Sequence, residues 1–445
     1  MALYLNKCPE WVMLYYAIIR LGAEAVCIST AYKSTELDYL INDSRPALIL
    51  TSEALAAHWP RSEKHNRFQD VLILERDNTL SSIFKKKTSQ VEAQQIEVCQ
   101  ADDLWVILYT GGTTGTPKGA MLTHSNLLYT SQNVCYHERL VPDDSGLCFM
   151  PLNHVFAGNH IMNSTFYGGA TLILHKGFAM DATLSSIDKN RVTRFYGIPA
   201  VYIRLLNNQD GRKHLQSLGY CFSAAASMPS EIIRQWKRTF GLDIHEAYGM
   251  TETSSLVTFN QLYRHKVGSV GTPAGIVEVK LVDDTGREVE HGEDGEVTIR
   301  GPNVMKGNFN KPEETARAMP DGWLYSGDVG RLDEEGYLYI ADRKKGTING
   351  GGLNVYPTEV EKILYIHSAV EECGVVGMPH DEYGEAVTAF VRLKEGKTSS
   401  VEELILFCEE RIASCKVPKK VVLVKDFPKT PQGKILKREL RKIQT

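Results

Sequence analysis

Short apolar runs alternate with segments of helical periodicity from the first residue of this 445-residue chain to about residue 245. The clearest runs, rich in β-branched and aromatic residues, are residues 47–51, 104–109, 147–150, 171–174 and 220–223. Such an alternation is typical of a doubly wound parallel sheet that carries helices on both faces. The sequence therefore predicts an α/β fold whose ligand-binding loops follow the carboxyl ends of its strands.

A loop rich in glycine and threonine follows the run at 104–109, with the sequence TGGTTGTPKG from Thr110 to Gly119. Glycines allow backbone N–H groups to turn toward an anion, threonine hydroxyls add neutral donors, and Lys118 adds a positive charge. The order differs from the G-x-x-x-x-G-K-[ST] pattern because Pro117 precedes the lysine and Gly119 follows it. The loop is thus predicted to bind phosphate without being a GTPase-type P-loop, although a plain surface turn has a similar composition.

The pattern changes between about residues 267 and 342, where short strands are separated by turn signals at 283–286, 292–295 and 333–336. This part is predicted to form a compact antiparallel sheet or a small barrel. A glycine cluster at 350–352 follows, and helix and strand patterns continue to the end of the chain. We therefore predict two domains, a large N-terminal one over residues 1–343 and a smaller α+β one over residues 344–445.

Composition excludes several classes of protein. Hydrophobic residues make up 43% of the chain, charged residues 23%, and the net charge is −4, so nothing indicates a nucleic-acid partner. The nine cysteines include no C-x-x-C pair, which argues against a disulfide framework or a zinc knuckle and favours the reducing cytoplasm. No apolar segment approaches the roughly 20 residues that a membrane-spanning helix needs. Charged residues interrupt the apolar N-terminus, so residues 1–22 are interpreted as a buried amphipathic helix rather than a signal peptide.

Four further motifs follow the phosphate loop in a fixed order: EAYGMTET at 246–253, YSGD at 325–328, DRKK at 342–345 and PQGKI at 431–435. Together with the loop, they resemble the adenylate-forming, or AMP-binding, superfamily, which includes acyl-CoA synthetases, firefly luciferase and the adenylation domains of peptide synthetases. The resemblance extends to about residue 441. Most members begin several tens of residues earlier, so the family's N-terminal segment is expected to be missing, leaving apolar surface exposed at residues 2–5 and 11–19.

The resemblance implies an ATP site. Residues of the loop would hold the β- and γ-phosphates, Tyr248 would stack on adenine, and Asp328 would accept hydrogen bonds from the ribose hydroxyls with support from Arg343. The nucleotide contacts that it implies are Thr110, Gly111, Gly112, Thr113, Thr114, Gly115, Lys118, Ala224, Ala225, Ala226, Glu246, Ala247, Tyr248, Gly249, Asp328 and Arg343.

The same resemblance assigns the catalytic roles. Thr251 would contact the α-phosphate, and Glu252 would bind Mg²⁺, a hard cation that prefers carboxylate and phosphate oxygens. Lys434 would bridge the substrate carboxylate and the α-phosphate and so hold the geometry of attack. His154 corresponds to a family histidine at the mouth of the acid pocket, although a lone histidine can equally be part of the core.

A swinging C-terminal domain is also implied by the resemblance. Lys345 would be the hinge about which this mobile domain rotates between two half-reactions. Gly351 and Gly352 would then line the tunnel for the pantetheine arm of CoA, because backbone without side chains can approach the arm closely.

Residues 156–162 and 196–199 are predicted to line the acid side of the site, and these segments are mostly apolar and contain no acidic residue. Such a lining suits an uncharged acyl tail. The small residues Ala157, Gly158 and Gly197 are expected to leave room for a long chain.

We therefore predict an acyl-CoA synthetase that uses ATP, Mg²⁺ and CoA to activate a small-molecule carboxylic acid, expected to be a fatty acid. Two alternatives stay open from the sequence. The first is an acyl-AMP ligase that loads a carrier protein, and the second is a truncated non-catalytic fragment that binds a nucleotide or a partner. The identity of the acid and the oligomeric state are also open.

Overall fold

The computed structural model describes residues 1–32, 34–56, 71–74, 98–110, 117–346, 348–350, 353–380, 384–430 and 433–443, without the side chains of 72–74, 209–210, 343, 345, 349–350, 353–354, 384 and 415. The chain divides into two compact units. The first unit comprises Met1–Ala179, Gly249–Leu256 and Gly301–Gly322, and the second comprises Met180–Tyr248, Val257–Arg300 and Trp323–Thr445.

The described strands have between 2 and 11 residues. In chain order they are β1 (Ala2–Tyr4), β2 (Ala25–Cys27), β3 (Ile49–Ser52), β4 (Val71–Leu74), β5 (Leu104–Thr110), β6 (Lys118–Thr123), β7 (Ser145–Cys148), β8 (Thr171–Leu174), β9 (Arg194–Gly197), β10 (Tyr220–Ser223), β11 (Ile244–Tyr248), β12 (Thr258–Phe259), β13 (Thr272–Pro273), β14 (Glu278–Val282), β15 (Asp294–Arg300), β16 (Gly307–Asn308), β17 (Leu324–Leu332), β18 (Leu338–Arg343), β19 (Ile348–Gly350), β20 (Leu353–Val355), β21 (Val370–His380), β22 (Gly384–Leu393) and β23 (Lys420–Leu423).

Helices separate many of these strands. The α-helices are α1 (Pro9–Arg20), α2 (Ser34–Ser44), α3 (Glu53–Ala56), α4 (His124–Glu138), α5 (Ser164–Tyr167), α6 (Met180–Lys189), α7 (Pro199–Asn207), α8 (Ser230–Phe240), α9 (Pro312–Ala318), α10 (Pro357–Leu364), α11 (Val401–Glu409) and α12 (Lys437–Leu440). A π-helix spans Phe156–Asn163, and 3₁₀ turns cover Gln209–His214, Thr251–Thr253, Pro320–Gly322, Lys344–Gly346 and Ser414–Lys416. None of the described helices combines the length and the apolarity needed to span a bilayer.

The first unit contains a sheet with the strand order β16-β6-β5-β2-β1-β3-β4. Its strands from β5 to β4 are parallel, whereas β6 and β16 pair antiparallel. Strand β1 lies in the middle of this sheet, where its three side chains are fully buried, as expected for a continuous apolar run in a parallel sheet. The parallel pair β7 and β8 also belongs to this unit.

The N-terminus differs from two sequence predictions. Residues 1–22 do not form one helix, because Ala2–Tyr4 is a strand and the helix begins only at Pro9. The expectation of exposed apolar surface is wrong for residues 2–5 and for most of α1, since Trp11 and Ile18 pack inward. Met13, with 58% of its surface exposed, and Ala17 are exceptions.

In the second unit, β9, β10 and β11 are parallel neighbours, and β12 and β13 extend them antiparallel. Strands β14, β15, β17 and β18 form the antiparallel sheet that the turn signals predicted, as a four-stranded sheet. The C-terminal part places β19 to β23 in another sheet, with the order β20-β19-β22-β21 and β23 beside β22. Its core includes Val375, Val391 and Leu404.

Candidate active site

The predicted phosphate loop connects two strands of one hairpin. Strand β5 pairs antiparallel with β6, and Thr110 lies opposite Lys118 in the register. The loop residues Gly111, Gly112, Thr113, Thr114 and Gly115 lie outside the described residues. The ammonium of Lys118 forms an ion pair with Glu314 of α9. Sequence reasoning missed Glu314, because no local pattern indicates that α9 contacts Lys118 of β6. Any phosphate held by Lys118 competes with this carboxylate.

The segment that carries Thr251 and Glu252 forms a tight turn in the first unit, and strand β6 runs beside it. Its backbone is held from outside, since Met305 N–H donates to the Glu252 carbonyl over 2.8 Å. At Gly249, a Cβ atom would lie 1.9 Å from the carbonyl oxygen of Ser255, so this position accommodates glycine only. The structure therefore brings the Lys118 strand and the predicted α-phosphate and metal residues together.

A second group of predicted residues meets in the second unit, and we call Glu246, Tyr248 and Asp328 the nucleoside wall. Tyr248 ends β11 and Asp328 lies in β17, and the tyrosine hydroxyl donates to Asp328 Oδ2 over 2.7 Å. Both side chains are buried. The backbone of Arg343 pairs with that of Asp328 in the β17–β18 register, and the Arg343 side chain is not among those that the structure describes. The sequence assigned these residues to one nucleoside but did not predict the direct bond between them.

Glu246 is a buried acid of this wall with a raised pKa. Burial raises its pKa from 4.5 to about 8, opposed by the charge of Lys362 and by backbone hydrogen bonds from Met228 and Gly268. The Met228 N–H donates to Oε1 over 3.3 Å, and only 6% of the residue is exposed. A protonated carboxyl offers one donor and one acceptor, as an amide does. A buried protonated carboxyl of this kind fits a ligand with complementary polar atoms, such as the edge of adenine.

The residues predicted to flank adenine follow the neighbouring strand. Ser223 at the end of β10 pairs in register with Glu246, and residues 224–226 continue directly from it. Ala225 has a φ of +71°, in the left-handed region that residues with a Cβ rarely adopt. Ala247 lies beside Glu246 in β11. The structure therefore brings these predicted residues to one edge of the parallel strands.

The predicted acid segment of the first unit is a π-helix, a rare conformation that is frequent at functional sites. His154 precedes it, and its Nδ1 accepts from Phe156 N–H over 3.3 Å. Its predicted position at the mouth of an acid pocket remains a prediction, but its contact with the first turn of the π-helix is clear. The ring therefore supports the start of the helix.

Two glycines of the acid segments have a different role from the one expected. A Cβ at Gly158 would lie 2.6 Å from the backbone oxygen of Leu152, and one at Gly197 would lie 3.0 Å from Tyr202 Cε2. Neighbouring atoms already occupy the space beside both residues. The expectation that these glycines leave room for a long chain is therefore wrong, because they permit close packing instead.

A buried ionisable pair lies against the π-helix. His160 Nε2 is 2.8 Å from Glu138 Oε1, and both side chains are almost completely buried. Glu138 comes from α4, outside the two segments that the sequence analysis assigned to the acid. Sequence reasoning missed the pair, because the two residues are 22 positions apart and no spacing rule connects them.

Lys434 lies on an exposed turn of the second unit. The Thr430 N–H donates to the Lys434 carbonyl and the Gly433 N–H to the Thr430 carbonyl, both over 2.8 Å. Gly433 has a φ of +83°, and a Cβ there would lie 2.9 Å from Ile198 Cδ1. The turn is therefore next to residues 196–199, one of the two segments predicted to contact the acid. The side chain of the predicted hinge residue Lys345 and the predicted tunnel residues Gly351 and Gly352 are not among the parts of the chain that the structure describes.

In the part of the chain that the structure describes, no group of three or more histidine, cysteine or acidic side chains is arranged to hold a metal. Mg²⁺ does not require such a group, because one or two carboxylates and the oxygens of a bound phosphate complete its shell. A single carboxylate such as Glu252 is compatible with that chemistry.

Comparison with known proteins gives a consistent result over the whole chain. The family model described as AMP-binding enzyme matches residues 1–309, and the model described as AMP-binding enzyme C-terminal domain matches residues 359–434. The chain is 36% identical to a long-chain-fatty-acid–CoA ligase of Bacillus subtilis, over 100% of this chain and 85% of that relative. It is 34% identical to a feruloyl-CoA synthase of an Amycolatopsis species, over 98% of this chain and 86% of that relative.

Solved structures agree with the sequence relatives. ATP-bound MatB from Rhodopseudomonas palustris superposes with a TM-score of 0.90 at 32% identity, covering 99% of this chain and 88% of that one. The anthranilate CoA ligase AuaEII, in complex with anthranoyl-AMP, superposes with a TM-score of 0.91 at 28% identity, covering 99% and 87%. These matches confirm the predicted α/β architecture.

Proposed function

Because this chain belongs to the family of AMP-binding enzymes, we propose that it joins a long-chain fatty acid to CoA. The general activity is that of an acid–thiol ligase that uses ATP, Mg²⁺ and CoA. The choice of a fatty acid as the substrate is our proposal. The observation that carries it is the apolar character of the buried π-helix, whose side chains include Phe156, Ile161 and Met162. The likeness to the long-chain-fatty-acid–CoA ligase supports the same choice.

The chemistry has two half-reactions. In the first, a carboxylate oxygen of the acid attacks the α-phosphorus of ATP, and pyrophosphate leaves with the electron pair of the broken P–O bond. In the second, the thiolate of CoA attacks the acyl carbon, and AMP leaves as the C–O bond breaks. Charge on the phosphates is the main obstacle in the first step, so fixed donors and cations contribute most.

We assign the residues as follows. Lys118 and the loop after Thr110 hold the terminal phosphates, Thr251 contacts the α-phosphate, and Lys434 orients the acid carboxylate against it. Glu252 would hold Mg²⁺, which would neutralise charge on the phosphate oxygens. The nucleoside wall holds adenosine, and the Tyr248–Asp328 hydrogen bond fixes the two side chains relative to each other.

The same proposal includes the two-domain organisation. Residues 1–343 would form the adenylation domain, and residues 344–445 would rotate about Lys345 between the half-reactions. Gly351 and Gly352 would line the path of the CoA thiol. The histidine before the π-helix, His154, is assigned to the entrance of the acid pocket because it contacts the first turn of that helix.

The test is a panel of acids with saturated chains from short to long, together with ferulate, assayed for pyrophosphate release and for acyl-CoA. We expect the highest kcat/KM with long saturated chains and thioester on free CoA. Preference for ferulate would contradict the fatty-acid assignment and favour an aromatic acid. Thioester that appears only on a phosphopantetheinylated carrier protein would contradict the choice of acceptor.

A further inference from the structure

Three polar side chains connect helix α1, the π-helix and the turn of Thr251 and Glu252 within the first unit. Tyr16 Oη donates to Asn163 Oδ1 over 2.8 Å, and Asn163 Nδ2 donates to Asn159 Oδ1 over 3.0 Å. Asn159 Nδ2 then donates to the backbone carbonyl of Ser254 over 2.9 Å. We call Tyr16, Asn159 and Asn163 the polar bridge. Both amides are buried, so each donor and acceptor in the bridge needs its partner.

The bridge ends on a strained backbone. Ser254 and Ser255 have φ values of +53° and +92°, in a region that residues with a Cβ disfavour. Strain of this kind persists only where the surroundings hold it, and it is concentrated at functional sites. Ser254 is completely buried, so the protein rather than water supplies what holds it.

The hydrogen bonds fix one peptide plane, the one that joins the two strained residues. Its carbonyl, that of Ser254, accepts from Asn159, and its N–H, that of Ser255, donates to the Met250 carbonyl over 3.0 Å. The orientation of this plane sets ψ of Ser254 and φ of Ser255. Asn159 therefore opposes the rotation that would release the strain.

The position of Thr251 depends on the same plane. The Ser254 N–H donates to the Thr251 carbonyl over 3.1 Å, and the Ser255 bond to Met250 closes the turn around it. A rotated plane would break the closing bond and allow residues 251 and 252 to move. Misplacement by about 1 Å in an active site reduces rate by about 100-fold.

We propose that Asn159 is a positioning residue for adenylate formation, which holds the 254–255 peptide and thereby sets Thr251 and Glu252. The inference rests on the proposed function. It adds that the π-helix, assigned above to the acid, also carries the side chain that fixes the phosphate and metal turn. Asn163 is the matched control, because it is a buried amide of the same bridge without a contact to the turn. When Asn163 is replaced, Asn159 Oδ1 still accepts from the Ser131 hydroxyl over 3.4 Å, so Asn159 keeps a second partner.

The test compares Asn159→Leu with Asn163→Leu in the full chain. Both variants remove one buried amide, so similar losses of thermal stability are expected. For Asn159→Leu we expect kcat for acid-dependent pyrophosphate release to fall about 10- to 100-fold and the half-saturating Mg²⁺ concentration to rise, with KM for the acid changed less than about threefold. Asn163→Leu should stay within about threefold of the parent in all three quantities.

A second readout is independent of activity. Amide hydrogen exchange in the peptide that contains residues 249–256 should be faster in Asn159→Leu than in the parent, because the Ser255 N–H loses its fixed acceptor geometry. It should be unchanged in Asn163→Leu. If either leucine variant fails to fold, Asn159→Ser and Asn163→Ser make the same comparison with smaller side chains.

The outcomes separate the two levels of inference. A parent chain without acid-dependent pyrophosphate release contradicts the proposed function itself. An active parent whose Asn159 and Asn163 variants have the same kcat, Mg²⁺ requirement and exchange rates contradicts the role of Asn159 alone. The role of Asn159 is established if its variant has a lower kcat, a higher half-saturating Mg²⁺ concentration and faster amide exchange in residues 249–256, while the Asn163 variant stays close to the parent in all three.

Discussion

The nucleoside wall and the Lys434 turn hold their side chains in opposite ways, although both belong to the second unit. Tyr248 and Asp328 are 80 residues apart, buried, and bonded directly to each other. The Lys434 turn is closed by hydrogen bonds between residues 430 and 434, and the lysine itself is exposed. The wall is therefore fixed by burial and by a hydrogen bond between residues that are distant in the chain, whereas the turn keeps its shape through local hydrogen bonds. The second arrangement agrees with our proposal that Lys434 acts in one half-reaction and leaves the site in the next.

The largest effect should come from the exposed turn. Lys434→Ala removes the cation assigned to the substrate carboxylate and the α-phosphate, so we expect adenylate formation to fall about 100- to 1,000-fold. Because the side chain is exposed, the free energy of unfolding should stay within about 0.5 kcal/mol of the parent. Acid-dependent pyrophosphate release and chemical denaturation measure the two quantities.

The control for this experiment is Lys425→Ala, which removes another exposed lysine from the same C-terminal region. It should leave both quantities unchanged. If Lys434→Ala kept its activity or lost stability, the contrast between an exposed reactive turn and a buried fixed wall would not hold.

The buried wall should instead be sensitive to pH through Glu246. Its folded pKa of about 8 lies above the unfolded value of 4.5, so the folded state binds an extra proton between these values. The stabilisation is complete below about pH 4.5 and is lost as the pH rises through about 8. Relative to Glu246→Gln, the parent should therefore lose about 4 kcal/mol of unfolding free energy from pH 5 to pH 9.

Denaturant unfolding of the parent and Glu246→Gln at several pH values measures this difference. Glu334→Gln changes an exposed carboxyl in a turn and is the matched control, for which we expect parallel curves. A parent and Glu246→Gln whose stabilities stay parallel over the range would show that Glu246 is solvated rather than buried. The wall would then be exposed to solvent like the Lys434 turn, and the two regions would not differ in burial.

The Tyr248–Asp328 bond gives a smaller effect. Tyr248→Phe keeps the ring and removes the donor, which leaves a buried carboxylate oxygen without this partner. We expect a loss of about 1–3 kcal/mol in unfolding free energy and weaker ATP binding. Tyr263→Phe, at a tyrosine that is 61% exposed, should change stability by less than about 0.5 kcal/mol. Equal stabilities of the two variants would show that the bond does not fix the wall.

The sequence predicted best where the signal is local. Strands 171–174 and 220–223 have the predicted bounds, and 104–109 is extended by one residue. The run at 147–150 instead forms Ser145–Cys148, because pairing with Thr171–Leu174 sets its register. Side-chain periodicity indicates that a strand exists, but its ends depend on a partner that is distant in the chain.

The site was predicted in its motifs and missed in its contacts. The Tyr248–Asp328 bond, the Glu138–His160 pair and the polar bridge each join residues that no spacing rule connects. Gly158 illustrates the same limit of sequence-based prediction. A small residue indicates that space is needed, but the sequence does not show which atom fills it. The pKa of Glu246 depends on burial and could not be predicted from composition.

The smallest predicted effect concerns the strained alanine beside the wall. At a φ of +71°, Ala225 has a cost of about 1–2 kcal/mol that glycine does not have, while glycine loses about 0.5–1 kcal/mol more chain entropy on folding. Ala225→Gly should therefore stabilise the protein by about 0.5–1 kcal/mol in thermal or denaturant unfolding. The next residue, Ala226, does not have a positive φ, so Ala226→Gly should destabilise by about the same amount. Changes in unfolding free energy of opposite sign at these adjacent alanines would show that burial and pairing of strands β10 and β11 impose the backbone next to the wall. A loop that is free to relax would give changes of the same sign at both positions.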